Sequence, residues 1–164
     1  MKIDLTQSQD VLGAYHSIDF RYVRTLYTDR GTKYVFDVLD EKIEAGYLIR
    51  LAAFRHLRDL QRQGSPDFPY QYSVKKANQI LKFAAICPNV DTGEPTELMQ
   101  WQDFILTQLI GWRNNEGGKR YSRGIVSVSR GQGKTYLMAI VVLYSFVVES
   151  MGLSNQDYLV SSIN

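Results

Sequence analysis

The sequence predicts an α/β chain that is mostly helical, with the start of a parallel sheet towards its carboxyl-terminal end. Apolar residues recur at three- and four-residue spacing over residues 33–63, which is typical of amphipathic helices. Residues 124–128 are rich in β-branched side chains and favour a strand. Residues 136–148 are apolar almost throughout and favour a helix buried nearly all round. A strand joined to a helix by a short loop is the repeating unit of a parallel sheet.

The first half of the chain predicts an irregular segment followed by helix. Residues 15–27 are aromatic and compatible with strand, and residues 29–31 form a turn signal. The helical pattern of residues 33–63 contains Gly46, which we expect to bend the helix or to divide it in two. Residues 64–69 hold a glycine and two prolines, so the helical pattern ends there.

Two more helices are predicted before the strand. Ser73 is a suitable N-cap for a helix over residues 74–86, and Thr96 is a suitable N-cap for the helix that follows. Residues 114–118 carry a turn signal, and residues 157–162 favour a second strand beyond the long apolar helix. The expected apolar stripe of the helix after Thr96 is Leu98, Trp101, Ile105 and Leu109.

Composition restricts the possible classes of function. The chain has 164 residues, enough for one ordinary domain, and a net charge of only +2, so bulk charge does not require nucleic-acid binding. Cys87 is the only cysteine, which excludes an internal disulfide and fits a reducing compartment. His16 has no partner at ligand spacing, so we predict no zinc site, and His56, which arginines flank, is expected to be a surface or capping residue. The apolar run at residues 137–148 is too short to span a bilayer.

The loop between the predicted strand and the apolar helix has the composition of a phosphate-binding loop. Backbone N–H groups from Gly131 to Thr135 can point at phosphate oxygens, and the helix N-terminus adds partial positive charge. Lys134 supplies a full positive charge for the β- and γ-phosphates, and the Thr135 hydroxyl is a ligand for Mg²⁺. Arg130 can reach the γ-phosphate, and the alternative is that it is a solvated surface arginine.

The loop departs from the strict pattern at one position. Val128 stands where that pattern requires a glycine, so a literal motif search misses this loop. The alternative interpretation is an ordinary helix that begins with Gly-Lys-Thr after a turn. The strand-like residues before the loop and the apolar helix after it favour the phosphate-binding interpretation.

Several segments, in the same order and at matching spacing, resemble the large terminase subunit of tailed bacteriophages, the ATPase that packages DNA. The resemblance runs from about residue 41 to residue 164. In that family the loop typically contains an arginine and often lacks the first glycine, as at Val128. The segments are RHLRDL at residues 55–60, FPY at residues 68–70, LMQWQ at residues 98–102 with IGW at residues 110–112, and VSRGQGKT at residues 128–135.

The resemblance implies a fold and a site. The fold is the start of a P-loop NTPase sheet of the ASCE type in residues 96–164, after an N-terminal extension over residues 1–40 and a helical region over residues 41–95.

The implied cofactors are ATP and Mg²⁺. Gln102 would recognise adenine, because its amide can donate to N7 and accept from the N6 amine; the alternative is an exposed polar helix residue. Further implied nucleotide ligands are Arg130, Gly131, Gln132, Gly133, Lys134 and Thr135, with Arg130 and Lys134 catalytic and Thr135 holding Mg²⁺.

The resemblance also implies partners and an incomplete machinery. The partners are double-stranded DNA, the portal protein and the small terminase subunit, with homo-oligomeric assembly on the portal in the cytoplasm of the bacterial host and no membrane. The machinery also needs an acidic second ligand for Mg²⁺ and an acidic residue that activates water. Neither role has a good candidate, because Glu149 lies at the far end of the loop's helix and Asp157 precedes the second strand. We therefore expect a truncated front part of the protein, inactive alone, with the nuclease domain beyond residue 164.

Two alternatives stay open at this point. Another P-loop nucleic-acid motor, such as a helicase, also selects adenine with a glutamine upstream of the loop. A helical docking module with a vestigial loop is a non-enzymatic alternative. Its contacts with phosphates or with a capsid partner would be made by Arg50, Arg55, Arg58 and Arg62.

Overall fold

The computed structural model describes residues 5–89 and 92–151, and these residues are mostly helical. They form seven α-helices and one two-stranded sheet. A π-helical turn, Ser145–Glu149, continues the last helix. The helices are α1 Ser8–His16, α2 Arg21–Leu26, α3 Arg30–Leu39, α4 Tyr47–Arg62, α5 Val74–Ala84, α6 Gln100–Gly111 and α7 Lys134–Tyr144, and the strands are β1 Tyr70–Tyr72 and β2 Trp112–Asn114.

The first part of the chain is helical, although residues 15–27 are compatible with strand. Helices α1 and α2 occupy much of this stretch, because Tyr15 and Val23 are buried in one core with side chains of α3 and α4. Tertiary burial therefore overrides the local β propensity. The turn signal at residues 29–31 proves to be a helix start, since the Asp29 carboxylate accepts a hydrogen bond from the Thr32 amide at 3.0 Å.

The helical pattern of residues 33–63 belongs to two helices. It divides between α3 and α4, and Gly46 is the N-cap residue of α4, so the expected break is confirmed. Ser73 caps α5 as predicted, because its hydroxyl accepts the Lys76 amide hydrogen at 3.2 Å. These local signals act within one helical turn, which explains why the sequence alone could place them.

Helix α6 is the central helix of the molecule, with α3 packed against one side and α5 against another. Its N-cap is Met99 and not Thr96. The predicted stripe residues Trp101, Ile105 and Leu109 are only partly buried. Since two helices cover α6, its most deeply buried line runs between them; that line is Gln102, Asp103, Leu106, Thr107 and Ile110.

The sheet is antiparallel and lies elsewhere in the chain than expected. Strand β1 pairs with β2, with Tyr70 opposite Asn114 and Tyr72 opposite Trp112. Within residues 5–89 and 92–151 there is no parallel strand pair, and residues 124–128 have no regular secondary structure. The predicted strand is thus wrong for the described part of the chain. A strand needs a hydrogen-bonded neighbour, and the predicted neighbour, residues 157–162, lies outside the described residues.

Helix α7 packs with one face only. Leu137, Ile140 and Tyr144 are buried in a second core cluster with α5 and α6. The prediction of a helix buried nearly all round is therefore wrong for the described residues. The exposed apolar side chains on its other face and in the π-helical turn are Met138, Leu143, Phe146 and Val147. In the part of the chain that the structure describes, no helix combines the length and the apolar character that crossing a bilayer requires.

Candidate nucleotide-binding site

The predicted phosphate loop forms a bend directly before α7. Gly131 and Gly133 have φ angles of +83° and +70°, a left-handed conformation that glycine adopts without strain. Gly133 is the N-cap residue of α7, and no side chain caps this helix end. The first amide N–H groups of α7 therefore have no partner within the helix, and such groups bind anions readily.

Lys134 lies inside this bend. Its ammonium group donates to the carbonyl oxygens of Val128 at 2.6 Å and Ser129 at 2.9 Å. The side chain folds back across the loop and is partly buried. A positive charge is thus held on the concave side of the loop, where a phosphate group would lie.

Gln102 connects α6 to the loop. Its side-chain carbonyl accepts the Met99 backbone amide at 2.9 Å, and its side-chain nitrogen donates to the Gln132 carbonyl at 3.2 Å. The side chain is buried, and the amide nitrogen lies 3.1 Å from the position that a Cβ on Gly133 would occupy. Both ends of the amide are therefore engaged within the chain, and Gln102 is not an exposed polar residue.

The structure brings only some of the predicted residues together. Gln102, Gln132 and Lys134 meet around the bend, whereas Arg130 and Thr135 are exposed. Arg130 makes no ion pair with any residue that the structure describes. Thr135 lies in the first turn of α7, with its side chain exposed. The neighbouring Trp101 is partly buried, and its indole N–H points at the Met99 sulfur at 3.2 Å.

The donor set suits a polyphosphate better than it suits a metal ion. Backbone N–H groups and one ammonium match phosphate oxygens, and the exposed Thr135 hydroxyl can ligate Mg²⁺. Across residues 5–89 and 92–151 there is no cluster of three or more His, Cys, Asp or Glu side chains that could hold a metal ion. Asp157, a poor candidate for the second Mg²⁺ ligand because it precedes the expected second strand, lies outside the described residues.

Glu149 is committed to a structural ion pair. It lies in the π-helical turn and pairs with Arg113 and, at 2.7 Å, with Lys119. Burial alone would raise the pKa of Glu149, but hydrogen bonds from Lys119 and Arg113 outweigh that effect and lower its pKa. The carboxylate therefore stabilises the end of the long helix against the turn after β2, and it is not free to serve the loop.

A cavity of about 340 Å³ opens between α3, the end of α5 and residues 95–98. Asp103 is one of its lining residues, but its side chain is only 2% exposed and neither carboxylate oxygen has appreciable accessible surface. Arg30 places a guanidinium nitrogen 2.8 Å from one oxygen, yet neither oxygen accepts a hydrogen bond from a described residue. Burial raises the pKa of Asp103 to about 6, and the Arg30 charge only partly opposes this.

Sequence reasoning missed Asp103, although a signal for it exists. Asp103 shares a helix face with Leu106, Thr107 and Ile110, at spacings of three, four and seven residues. A carboxylate on the buried face of a helix needs a partner, because its desolvation is costly. An aspartate at this position in the apolar pattern therefore indicates a buried ion pair, which Arg30 supplies at 2.8 Å.

A second buried polar cluster joins three helices and β2. The Trp112 indole donates to the Gln108 carbonyl at 3.1 Å, and the Gln108 amide nitrogen donates to His56 Nδ1 at 3.0 Å. His56 Nε2 therefore carries the proton and donates to the Thr32 hydroxyl at 3.1 Å. The Thr32 hydroxyl in turn donates to Asp29 at 2.8 Å. Burial lowers the pKa of His56 to about 3, so the ring is neutral at physiological pH.

Comparisons of the chain with protein-family profiles, with curated proteins and with solved structures find no match. The resemblance to terminases therefore rests on the sequence segments themselves. The geometry of residues 128–135, with the contact from Gln102, is the structural feature on which a function can be argued.

Proposed function

We propose that this chain is the N-terminal, ATP-binding part of a phage terminase large subunit, the motor that drives double-stranded DNA into procapsids. The observation that carries the proposal is the loop before α7. It combines two left-handed glycines, an ammonium group inside the bend and a helix N-terminus without a side-chain cap. These are the donors and the shape that a polyphosphate requires.

Each loop residue has a role that follows from its position. Lys134 would exchange the carbonyls of Val128 and Ser129 for β- and γ-phosphate oxygens, and the exposed Arg130 can turn towards the γ-phosphate. The Thr135 hydroxyl would hold Mg²⁺, which when bound neutralises charge on the phosphates. Gln102 fixes the loop from the side of α6, through the Gln132 carbonyl.

Hydrolysis would need one more group. Water attacks the γ-phosphorus, the bond from the γ-phosphorus to its bridging oxygen breaks, and the attacking water gives up a proton to a base. Glu149 is held by Arg113 and Lys119 away from the loop, and no carboxylate of the described residues forms an ion pair with residues 128–135. We therefore expect this chain to bind ATP weakly and to hydrolyse it negligibly.

The parallel sheet and the partners belong to the proposal as well. Residues 124–128 and 157–162 would pair in the complete ATPase domain, and the exposed apolar face of α7 is the kind of surface that such a sheet covers. The nuclease domain, the portal protein and the small terminase subunit would complete the motor in the host cytoplasm. DNA movement would follow from closure of the loop around ATP.

A titration with inorganic triphosphate tests the loop directly. We expect the wild-type chain to bind it, and we expect Lys134→Ala to weaken binding at least tenfold, because a charge-assisted contact contributes about 1.5–3 kcal/mol. Lys75→Ala, which removes an exposed lysine from α5, is the matched control. Equal affinities for the wild type and Lys134→Ala would remove the basis of the proposal. Robust Mg²⁺-dependent ATP hydrolysis by this chain would contradict the expected lack of a base.

The arginine contacts of α4 count against the docking-module alternative. Arg55, Arg62 and Arg120 all approach the Asp59 carboxylate, at 3.6, 3.8 and 2.8 Å, so part of the arginine face of α4 is paired within the chain. A docking module that used these arginines would first have to break those contacts, and it should show no thermal shift with ATP. A helicase would also fit the geometry of the loop. It would differ from a terminase by having no nuclease domain downstream.

A further inference from the structure

The peptide unit that joins Gln132 to Gly133 lies in the middle of the phosphate loop, between two glycines. Gly131 and Gly133 both have positive φ angles, +83° and +70°. Because glycine adopts positive and negative φ with similar ease, a peptide unit next to it can rotate at little steric cost. The loop's own sequence therefore does not fix where this carbonyl and this N–H point.

A contact from α6 restrains this peptide unit. The side-chain nitrogen of Gln102 donates to the Gln132 carbonyl at 3.2 Å, and Gln102 is only 5% exposed. A Cβ at Gly133 would lie 3.1 Å from the same nitrogen, so the glutamine amide packs directly against the bend. The other hydrogen bonds of residues 128–133 to described residues run to Lys134 and Leu137, which belong to the helix that the loop itself begins.

The restraint on the carbonyl also orients an N–H group. Within the part of the chain that the structure describes, every peptide bond is trans. In a trans peptide unit the C=O and the N–H point in opposite directions. Since Gln102 holds the Gln132 carbonyl towards α6, the Gly133 N–H is held pointing away from α6. A donor that is already oriented binds an anion more tightly, because no ordering cost is paid on binding.

The Gln102 side chain is itself fixed at both ends of its amide. Its carbonyl accepts the backbone N–H of Met99, the N-cap residue of α6, at 2.9 Å, and its nitrogen is engaged by Gln132. Recognition of adenine by a glutamine uses both the carbonyl and the nitrogen of the amide. Gln102 could therefore read a base only after losing the two contacts that hold it.

We propose that Gln102 is a positioning residue of the phosphate loop, which orients the peptide unit between Gln132 and Gly133 for a phosphate group and takes no part in reading the base. This role replaces the recognition of adenine that the terminase resemblance implies for Gln102. The inference rests on the proposed function, since the loop is taken to be the phosphate site. The triphosphate part of a nucleotide, and not its base, is then what depends on Gln102.

Two variants remove the donor in different ways. Gln102→Glu replaces the side-chain nitrogen by oxygen and keeps an oxygen that can accept the Met99 amide, whereas Gln102→Met removes the donor without adding charge. By calorimetry at pH 7.5, we expect each variant to bind inorganic triphosphate about fivefold more weakly than the wild type, the equivalent of one hydrogen bond. ATP and GTP should weaken by the same factor.

The outcomes separate positioning from base reading and from charge. Gln100→Glu adds the same charge at an exposed position in the first turn of α6 and should leave triphosphate affinity unchanged. Unchanged triphosphate affinity in either Gln102 variant would overturn the inference, because both variants lack the donor. A loss confined to ATP, with triphosphate and GTP unaffected, would instead assign Gln102 to the base.

The backbone amide signals of the loop glycines give a readout that needs no ligand. In the ¹⁵N–¹H spectrum, Gly131 and Gly133 should each give one sharp signal in the wild type and in Gln100→Glu, and broadened or doubled signals in both Gln102 variants. The signal of Gly13, in α1, should not change, which distinguishes a loosened loop from a loss of overall stability. Identical loop-glycine signals in the wild type and the Gln102 variants would contradict the inference.

This readout also distinguishes the two proposals. If the wild type binds no triphosphate, the proposed function fails, and the glycine signals still decide whether Gln102 orients the loop. If triphosphate binds and depends on Lys134 but not on Gln102, the proposed function is kept and the positioning role is overturned. Should one Gln102 variant fail to fold, the other carries both measurements.

Discussion

His56 lies where α3, α4, α6 and the short sheet meet. The rings of Tyr72, Trp112 and Phe104 surround its imidazole at centroid distances of 5.1, 5.8 and 5.9 Å. Nδ1 accepts from Gln108, so this nitrogen cannot take up a proton without losing that hydrogen bond. Protonation would place a charge in an apolar and aromatic environment, which explains the low pKa of His56.

This histidine should make the fold sensitive to acid. Its pKa is about 3 in the folded state and 6.5 in the reference state, so the unfolded chain binds the extra proton between these values. The stabilisation is complete above about pH 6.5 and is lost as pH falls towards 3, at about 1.4 kcal/mol per pH unit. In His56→Gln, the free energy of unfolding measured with urea at pH 7, 6, 5 and 4 should fall less steeply than in the wild type.

Two comparisons make this measurement specific. His16→Gln, at an exposed position, should follow the wild-type profile. The pKa of Asp103 is raised to about 6, so its contribution to stability decreases as pH rises from about 4 to 6, opposite to that of His56. Because Asp103 is present in both the wild type and the variant, its contribution cancels in the difference between their free energies of unfolding. Parallel profiles for His56→Gln and the wild type would show that the imidazole is not the group that titrates.

The expected surface or capping position of His56 is wrong, since the residue is buried. It falls on the same helix face as Ala53 and Leu60, at spacings of three and four residues, although arginines flank it. Its partners Thr32 and Gln108 are 24 and 52 residues away in sequence. No local pattern joins such distant residues, so neither the hydrogen-bond chain nor the tautomer could be read from the sequence.

At the scale of elements, the crossing of α3 and α6 depends on a glycine. A Cβ at Gly31 would lie 2.0 Å from the Thr107 hydroxyl oxygen, far inside contact distance. Thr107 is itself fully buried and donates to the Phe104 carbonyl at 3.0 Å, so it has little room to move. The two helices can therefore approach this closely only where one of them has no side chain.

Gly31→Ala should force α3 and α6 apart. We expect it to lower the free energy of unfolding by about 1–3 kcal/mol, the usual cost of overpacking a core. Gly13→Ala is the matched control, since Gly13 lies in α1 with no atom near the added Cβ, and it should raise stability by up to about 1 kcal/mol. Chemical denaturation of both variants checks the pair, and a neutral Gly31→Ala would contradict the described crossing.

Local signals predicted element ends better than element type. The start of α7 next to the loop and the Ser73 cap of α5 depend on a few neighbouring residues, and both predictions are confirmed. The predicted strand at residues 124–128 is different, because a strand forms only with a partner strand, and the residues next to it in sequence do not supply one. For the same reason, the apolar pattern after the loop predicted a helix but not which of its faces would be covered.

At the scale of the molecule, two core clusters share α6. The first cluster holds α1 to α4 with the short sheet, and the second holds α5, α6 and α7. The outer face of α7 contributes Met138, Leu143 and Phe146, which are 51%, 47% and 58% exposed. Contiguous exposed apolar side chains of this kind mark interaction surfaces or promote association.

Charged residues on this face should reduce association of the isolated chain. We expect the combined substitution Met138→Lys, Leu143→Lys and Phe146→Lys to lower binding of a hydrophobic dye and concentration-dependent self-association, measured by light scattering. The melting temperature should change less than the association does, because about half of each side chain is exposed to solvent. Leu48→Lys, at an apolar residue that is 73% exposed on α4, is the control and should change neither readout. Unchanged dye binding in the triple variant would mean that another surface binds the dye and causes the self-association.

The two tryptophans of the chain give α6 a built-in optical readout. Trp101 stands in its first turn, partly buried and one residue before the glutamine that contacts the loop, whereas Trp112 directly follows its last turn and is fully buried. The emission of Trp101 should respond to rearrangements near residues 128–135, and that of Trp112 should change only when the whole body unfolds. Fluorescence with a quencher such as iodide would therefore follow both ligand occupancy at residues 128–135 and unfolding of the whole protein in one unlabelled sample.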